Sequence, residues 1–269
     1  MRFGILGPLA VEVGGVPVEI RRGRPRTLLV ALLLRAGETV GTSRLMELLW
    51  GYDQPRNPAN ALQIQVSYLR KVLGGPGEEG SRRIVTRPGG YAIELAPDEL
   101  DADRFERLVG EAAARRSGAS TADLEVAAEL LDEALGLWRG DALEDVAGQP
   151  FAVGQITRLE ESRWAAVEAR NDLRLDLGRH RELIGELSQL VSRLPLRERF
   201  HEQLVLALYR SGRQADALRA YAHARSVLVE ELGLEPGPRL QDLERAVLAQ
   251  DQRLDWVLEG GSGPVAPSP

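Results

Sequence analysis

A chain of 269 residues, 43% of them apolar, is long enough to bury more than one core. It has no cysteine, which excludes disulfides, thiolate nucleophiles and cysteine-ligated metal. The net charge of −6 averages two unlike parts: residues 1–96 hold 13 Arg and Lys against 8 Asp and Glu, a net +5, while residues 97–269 are at −11. A basic module joined to an acidic one suggests that only the first meets an anionic polymer. Of the 34 basic residues all but Lys71 are arginine, the signature of a GC-rich genome. No signal peptide is visible at the N-terminus and no stretch approaches the ~20 apolar residues of a membrane span, so a cytoplasmic protein without membrane contact is expected.

In chain order, Arg2–Leu6, Ala10–Val13 and Val16–Ile20 read as short strands, with Gly14-Gly15 as a two-residue hairpin turn between the last two. A helix is expected from Arg24 to Arg35, with Pro25 in its first turn, Leu28, Leu29, Leu32 and Leu33 at helical spacing, and Gly37 after its end. A second helix begins near Thr42 or Ser43, either of which can cap it, and ends near Trp50.

The third helix carries the most information. Asn57 is a good N-cap and Pro58 a good first residue, and the helix runs to Leu73 before Gly74-Gly75. Ala59, Leu62, Val66, Leu69 and Leu73 form one stripe, expected in the core. The opposite face shows Asn60, Ile64, Ser67, Tyr68 and Lys71, flanked by Gln63, Gln65 and Arg70. This face has amides, hydroxyls, bases and no acid. Amides and arginines read base edges in a major groove, and an aliphatic side chain can cover a thymine methyl. An ordinary polar surface with Ile64 tucked under a neighbour is the alternative. Then Arg82–Arg87 and Gly90–Leu95 form a hairpin around Pro88-Gly89. Arg82, Arg83 and Arg87 load it with positive charge, as a wing gripping phosphates or a minor groove requires. A solvated surface hairpin is the alternative there.

From about Leu100 the chain is rich in Ala, Leu, Glu and Arg without strand alternation. Helices are expected at 101–115, 121–138, 151–177, 179–192, 197–211, 213–232 and 236–250. Gly178-Arg179 and Gly212-Arg213 are 34 residues apart, the tetratricopeptide period. In that register Leu183, Leu187 and Leu190 align with Ala217, Tyr221 and Ala224, and Pro195 falls at a repeat end. The expected fold is therefore mainly α with small β elements: a winged helix-turn-helix domain over 1–96, an all-α tetratricopeptide-like repeat domain over 97–257, and a flexible linker or tail over 258–269.

QVSYLRKVL (Gln65–Leu73) followed by IVTRPGGYAIEL (Ile84–Leu95) resembles the winged-helix output domain of the OmpR/PhoB-type response regulators of two-component systems. LWRGDALEDV (Leu137–Val146) and Gly212–Leu248 resemble the bacterial transcriptional activation domain. The two together, in this order, are similar to the Streptomyces antibiotic regulatory protein family, and most like the N-terminal part of its AfsR-type global regulators, longer proteins that continue into an ATPase. The resemblance implies that Ile64, Tyr68 and Arg70 contact bases or backbone and that Arg87 sits on the wing. Tyr68 departs from the family pattern, where arginine is common, so the preferred bases differ. It also implies that the loop with Tyr52, Asp53 and Gln54 faces RNA polymerase holoenzyme, sigma factor included. Two protomers would lie side by side on direct repeats in promoter double-stranded DNA and activate antibiotic biosynthesis.

Gly75–Gly80 matches G-x-G-x-x-G, but it follows a helix, precedes a strand and carries two glutamates, so nucleotide binding is not expected. There is no Walker lysine. His180, His201 and His223 lack metal-ligand spacing and are expected at the surface or in a groove. No cofactor and no enzymatic activity are expected in this chain. The rival to a DNA-binding activator is a scaffold whose winged helix and repeats bind proteins, which the acid-free face of the third helix argues against.

Overall fold

The structure, a computed structural model, describes residues 1–74, 83–116 and 120–256. Arg82, the Gly75–Gly80 motif and the 258–269 tail lie outside the described residues. Compactness divides the chain into two units: Met1–Gly110 with Glu133–Trp164, and Glu111–Asp132 with the chain from Ala165 onward. The first division therefore does not follow the change of charge near residue 96.

The first unit opens with an antiparallel sheet of β1 (Arg2–Gly4), β2 (Ala10–Val13) and β3 (Val16–Pro17), with Phe3 opposite Val11 and Val13 opposite Val16. Gly14 and Gly15 both have positive φ, 60° and 81°, as the expected hairpin turn needs. The outer strands are shorter than their apolar runs. Ile5 and Leu6 leave the ladder and are buried, and Ile20 is buried beyond the end of β3.

Helix α1 (Arg24–Leu33) is the centre of the unit, with every residue from Leu28 to Leu33 buried. It packs on α2 (Thr42–Trp50), α3 (Pro58–Gly74), the strand β6 (Gly90–Ile93) and a 3-10 turn at Glu144–Val146. Thr42 and Ser43 do not cap α2; Gly41 stands at that position, and the Thr42 hydroxyl donates instead to the Gly89 carbonyl at 2.8 Å. A strand too short to see in the sequence, β4 (Val40–Gly41), pairs with β6, which pairs with β5 (Ile84–Arg87). Gly90 is fixed by this pairing, because a Cβ there would meet the Val40 carbonyl oxygen at 2.1 Å.

The segment LWRGDALEDV closes the same unit. Arg139 N–H donates to the Leu6 carbonyl at 2.8 Å and Leu143 N–H to the Ile5 carbonyl at 2.9 Å. The Asp101 carboxylate accepts from the N–H groups of Ile5 and Leu6 at 2.8 and 3.1 Å, and from Arg139. Asp145 accepts from the Leu9 N–H at 2.6 Å and pairs with Arg26 of α1. A motif that looks like a signature thus satisfies the backbone where the chain leaves the first sheet.

Helices α4 (Asp101–Arg116), α5 (Thr121–Gly136) and α6 (Pro150–Asp176) each contain a point at which the chain passes between the units. The second unit continues with α7 (His180–Arg193), α8 (Glu198–Arg210), α9 (Gln214–Leu232) and α10 (Pro238–Leu248), within two residues of expectation at each end. Sequential helices pack against each other through Leu183, Leu187 and Val191 of α7, Phe200, Leu204 and Leu208 of α8, and Ala217, Tyr221, Ala224 and Leu228 of α9. Gly178 and Gly212 have φ of 78° and 77°, and each turn is closed by the next residue's N–H bonding five residues back: Arg179 to Arg174, Arg213 to Leu208. The 34-residue spacing therefore repeats a turn conformation as well as a pattern. Among the described residues no helix is long and apolar enough to cross a membrane.

Of the three histidines expected at the surface or in a groove, His223 is exposed, while His180 and His201 are buried. His201 has a partner, the Pro195 carbonyl at 2.8 Å. Neither ring nitrogen of His180 bonds to another described residue, and Trp256 meets its ring edge-on at 5.8 Å. Burial, aided by the Arg210 charge, pushes the His180 pKa down to about 4.

Two expectations follow. Asp145→Ala removes an ion pair that is less than a fifth exposed and leaves the Leu9 N–H unsatisfied. It should cost about 1–3 kcal/mol by denaturant titration, and a fragment ending at residue 96, which lacks all these partners, should be weaker still. His180 stays neutral in the folded chain down to about pH 4 but takes up a proton near pH 6.5 once unfolded. The unfolded chain therefore gains as pH falls below that value, and the effect is complete below about pH 4. His180→Leu, which cannot charge, should lose less stability than the wild type between pH 7 and pH 4.5, by up to about 2 kcal/mol.

Candidate nucleic-acid interface

Helix α3 begins as its residues dictate. The Asn57 side chain accepts from the Asn60 N–H at 3.1 Å, and Pro58 occupies the first turn, where its missing N–H costs nothing. Leu62, Val66, Leu69 and Leu73 are buried, fixing the helix on α1 and α2; Ala59, expected in that stripe, is exposed because it lies in the first turn, before the helix meets its neighbours. The other side is open: Asn60, Gln63, Ile64, Ser67 and Lys71 are exposed, and Gln65, Tyr68 and Arg70 are half-buried. Ile64 is 57% exposed, so it is not tucked under a neighbour. The face presents two amides, a hydroxyl, an ammonium and one open aliphatic chain, and no carboxylate.

Two of its members are also structural. Arg70 donates from Nε to the Ile84 carbonyl at 2.8 Å and from Nη2 to the Thr86 hydroxyl at 2.9 Å, and its guanidinium lies 6.0 Å from the centre of the Tyr91 ring. It thereby welds α3 to the β5–β6 hairpin and sets the angle between them. The Tyr68 hydroxyl accepts from the Arg21 N–H at 3.1 Å, and the Arg21 guanidinium sits over the Tyr68 ring, 5.0 Å from its centre. That approach joins the segment before α1 to the exposed face of α3, a contact between residues 47 apart that helical periodicity does not reveal.

The hairpin's arginines differ from expectation. Arg83 is held by both oxygens of Glu99, at 2.9 and 2.8 Å, and Glu99 also accepts the Ala96 N–H at 2.7 Å. Burial would raise the Glu99 carboxyl, but the Ala96 N–H, the Met1 ammonium at 3.1 Å and the Arg83 charge outweigh it and hold the group below its ordinary pKa. Arg83 is therefore committed within the fold and is not a free phosphate ligand. Arg87 donates to the Gly37 carbonyl at 2.8 Å and to Glu94 at 2.9 Å. Its pair with Glu94 is 36% and 54% exposed, and such pairs contribute only about 0–1 kcal/mol, so a phosphate can take Glu94's place.

Between α2 and α3, the Asp53 N–H bonds to the Trp50 carbonyl at 2.9 Å, and beyond this turn Tyr52, Asp53 and Gln54 are exposed, Tyr52 completely. An aromatic ring with no cover in a loop fits a contact surface better than a simple connector.

Comparison with known proteins gives two family matches: "Transcriptional regulatory protein, C terminal" over residues 21–93, and "Bacterial transcriptional activator domain" over residues 100–248. Regulatory protein AfsR of Streptomyces coelicolor is 43% identical over 255 residues, 94% of this chain and 25% of that protein. Regulatory protein DnrI of Streptomyces peucetius is 39% identical over 261 residues, 95% of this chain and 94% of that protein. The chain thus spans a quarter of AfsR and nearly all of DnrI. The solved structure of Mycobacterium tuberculosis EmbR in complex with a low-affinity phosphopeptide superposes with a TM-score of 0.85 at 33% identity, covering 93% of this chain and 65% of that one.

Proposed function

The chain belongs to the Streptomyces antibiotic regulatory protein family, and from that premise we propose that it is a sequence-specific DNA-binding activator of secondary-metabolite genes. The observation that carries this reading is the outer face of α3: acid-free, rich in amides, with Ile64 open to solvent and the wing fixed beside it by Arg70. Asn60, Gln63, Ile64, Ser67 and Lys71 face the major groove, and Arg70 and Arg87 meet the backbone at its edge. DNA contact is assigned to residues 1–96 and activation to 97–257, whose helices we read as tetratricopeptide-like. Two protomers bind direct repeats side by side and engage RNA polymerase, its sigma factor included, through Tyr52, Asp53 and Gln54. Such a regulator works in the cytoplasm, beside the chromosome.

Binding is measured on a duplex selected from a randomised pool and on its scrambled counterpart, across a salt series. Ile64→Ala should weaken the selected duplex by about 1–3 kcal/mol and the scrambled one little, with the loss traced to a base pair carrying a thymine methyl. Arg87→Ala should weaken both alike and lower the salt slope by up to about one unit. An unchanged selected-to-scrambled ratio in Ile64→Ala would remove α3 as the reading head. If the wild type selects no sequence while its helices capture a protein partner, the scaffold reading replaces this one.

Activation is tested separately by transcription in vitro. Tyr52→Ala with Asp53→Ala should lower transcript yield while promoter affinity stays intact. Equal loss of both would assign the loop to folding or to DNA.

A further inference from the structure

We propose that Arg21, with Arg22 next to it in the chain, makes a DNA-backbone contact at the edge of α3, and that Tyr68 positions Arg21 rather than reading a base. This inference rests on the DNA-binding reading above and adds to it a contact outside the third helix and the wing.

Two interactions hold Arg21 at that face. Its N–H is bonded to the Tyr68 hydroxyl at 3.1 Å, which fixes the backbone, and its guanidinium lies 5.0 Å from the centre of the Tyr68 ring, which fixes the side chain. A cation over an aromatic face is attracted by the ring quadrupole, and a guanidinium has five N–H donors, none of which the ring face consumes as a hydrogen-bond acceptor would. Arg21 and Arg22 are both exposed, and neither forms an ion pair among the described residues. The described arginines of the wing are different: Arg83 faces Glu99 and Arg87 faces Glu94, so a phosphate must displace a carboxylate to reach either. Among the described residues Arg21 has no such competitor. Placed beside the open amides of α3, it is an unneutralised cation at the rim of the surface that would enter a groove, where the phosphates run. The cation–ring contact also accounts for Tyr68, which is half-buried and already engaged, unlike Ile64 and Ser67 beside it.

The test uses the whole chain, a duplex selected by the wild type from a randomised pool, and a scrambled duplex, with affinities read from ~50 to ~200 mM salt. Arg21→Ala should weaken both duplexes by the same factor. The slope of log affinity against log salt should fall by about 0.9, so that the wild type's advantage shrinks roughly threefold across the series. Arg21→Lys keeps the charge and should restore the slope. Tyr68→Leu should weaken both duplexes together and leave their ratio unchanged. Arg181→Ala, the same change of charge on α7, should leave the slope as it is. An unaltered slope in Arg21→Ala, with the wild type binding in a salt-dependent way, overturns this contact alone. A collapsed ratio in Tyr68→Leu makes Tyr68 a base reader and overturns its positioning role. An equal fall in Arg181→Ala shows the slope to report net charge, and the contact is again overturned. If the wild type binds neither duplex, the DNA reading fails and this contact with it.

Discussion

Backbone N–H and C=O groups buried without partners cost as much as lost hydrogen bonds, and this chain meets that constraint over long sequence distances. Ile5, Leu6 and Leu9 leave the first sheet and find their partners in Asp101, Arg139, Leu143 and Asp145. Asp145 then ties the same region to α1 through Arg26. Since α1 is buried from Leu28 to Leu33 and supports α2, α3 and the β5–β6 hairpin, the posture of the helix assigned to DNA depends on residues far downstream. The motif Leu137–Val146 is accordingly a structural clasp. It also sets an order of events: the Leu9–Asp145 bond spans 136 residues, so the first unit can be completed only after much of the chain has been made.

The charge of the N-terminal part is distributed more selectively than its net +5 suggests. The described wing arginines spend their charge within the fold, one on a shielded carboxylate and one on an exposed pair that exchanges easily. Arg70 uses two of its five donors for orientation, joining helix to hairpin. What remains open on α3 is mostly uncharged and suited to shape and hydrogen-bond recognition. Affinity and discrimination are thus assigned to different elements, as expected where phosphates position a protein and base edges specify it.

Much of this was legible in the sequence because it depends on short-range pattern. Helical spacing of leucines and alanines gave α1–α10, and Asn57-Pro58 marked a start that the structure keeps. The two-residue strand β4 was not legible, because Val40-Gly41 has no alternation to detect and exists only through pairing with β6. Ala59 looked like core by spacing, but where a helix meets its neighbours is a tertiary fact. The ion pairs of Arg83 and Arg87 were missed because Glu99 and Glu94 lie 16 and 7 residues away, across a turn of the chain. His180 and His201 read as surface or groove residues because polar residues usually are; helix packing encloses them instead. Tyr68 was placed on the right face, but its bond to Arg21 joins two elements that no periodicity links.

The near-exclusive use of arginine leaves one side-chain amine, and it belongs to Lys71, exposed on α3. Amine-directed chemistry, whether an acylating label in the laboratory or an acetyl transfer in a cell, therefore has a single side-chain target here, and it lies on the face assigned to DNA. Acylation there would erase a cation without touching any arginine pair in the fold. Protection of that amine by a bound duplex would report occupancy of the face directly, with no other lysine to confuse the reading.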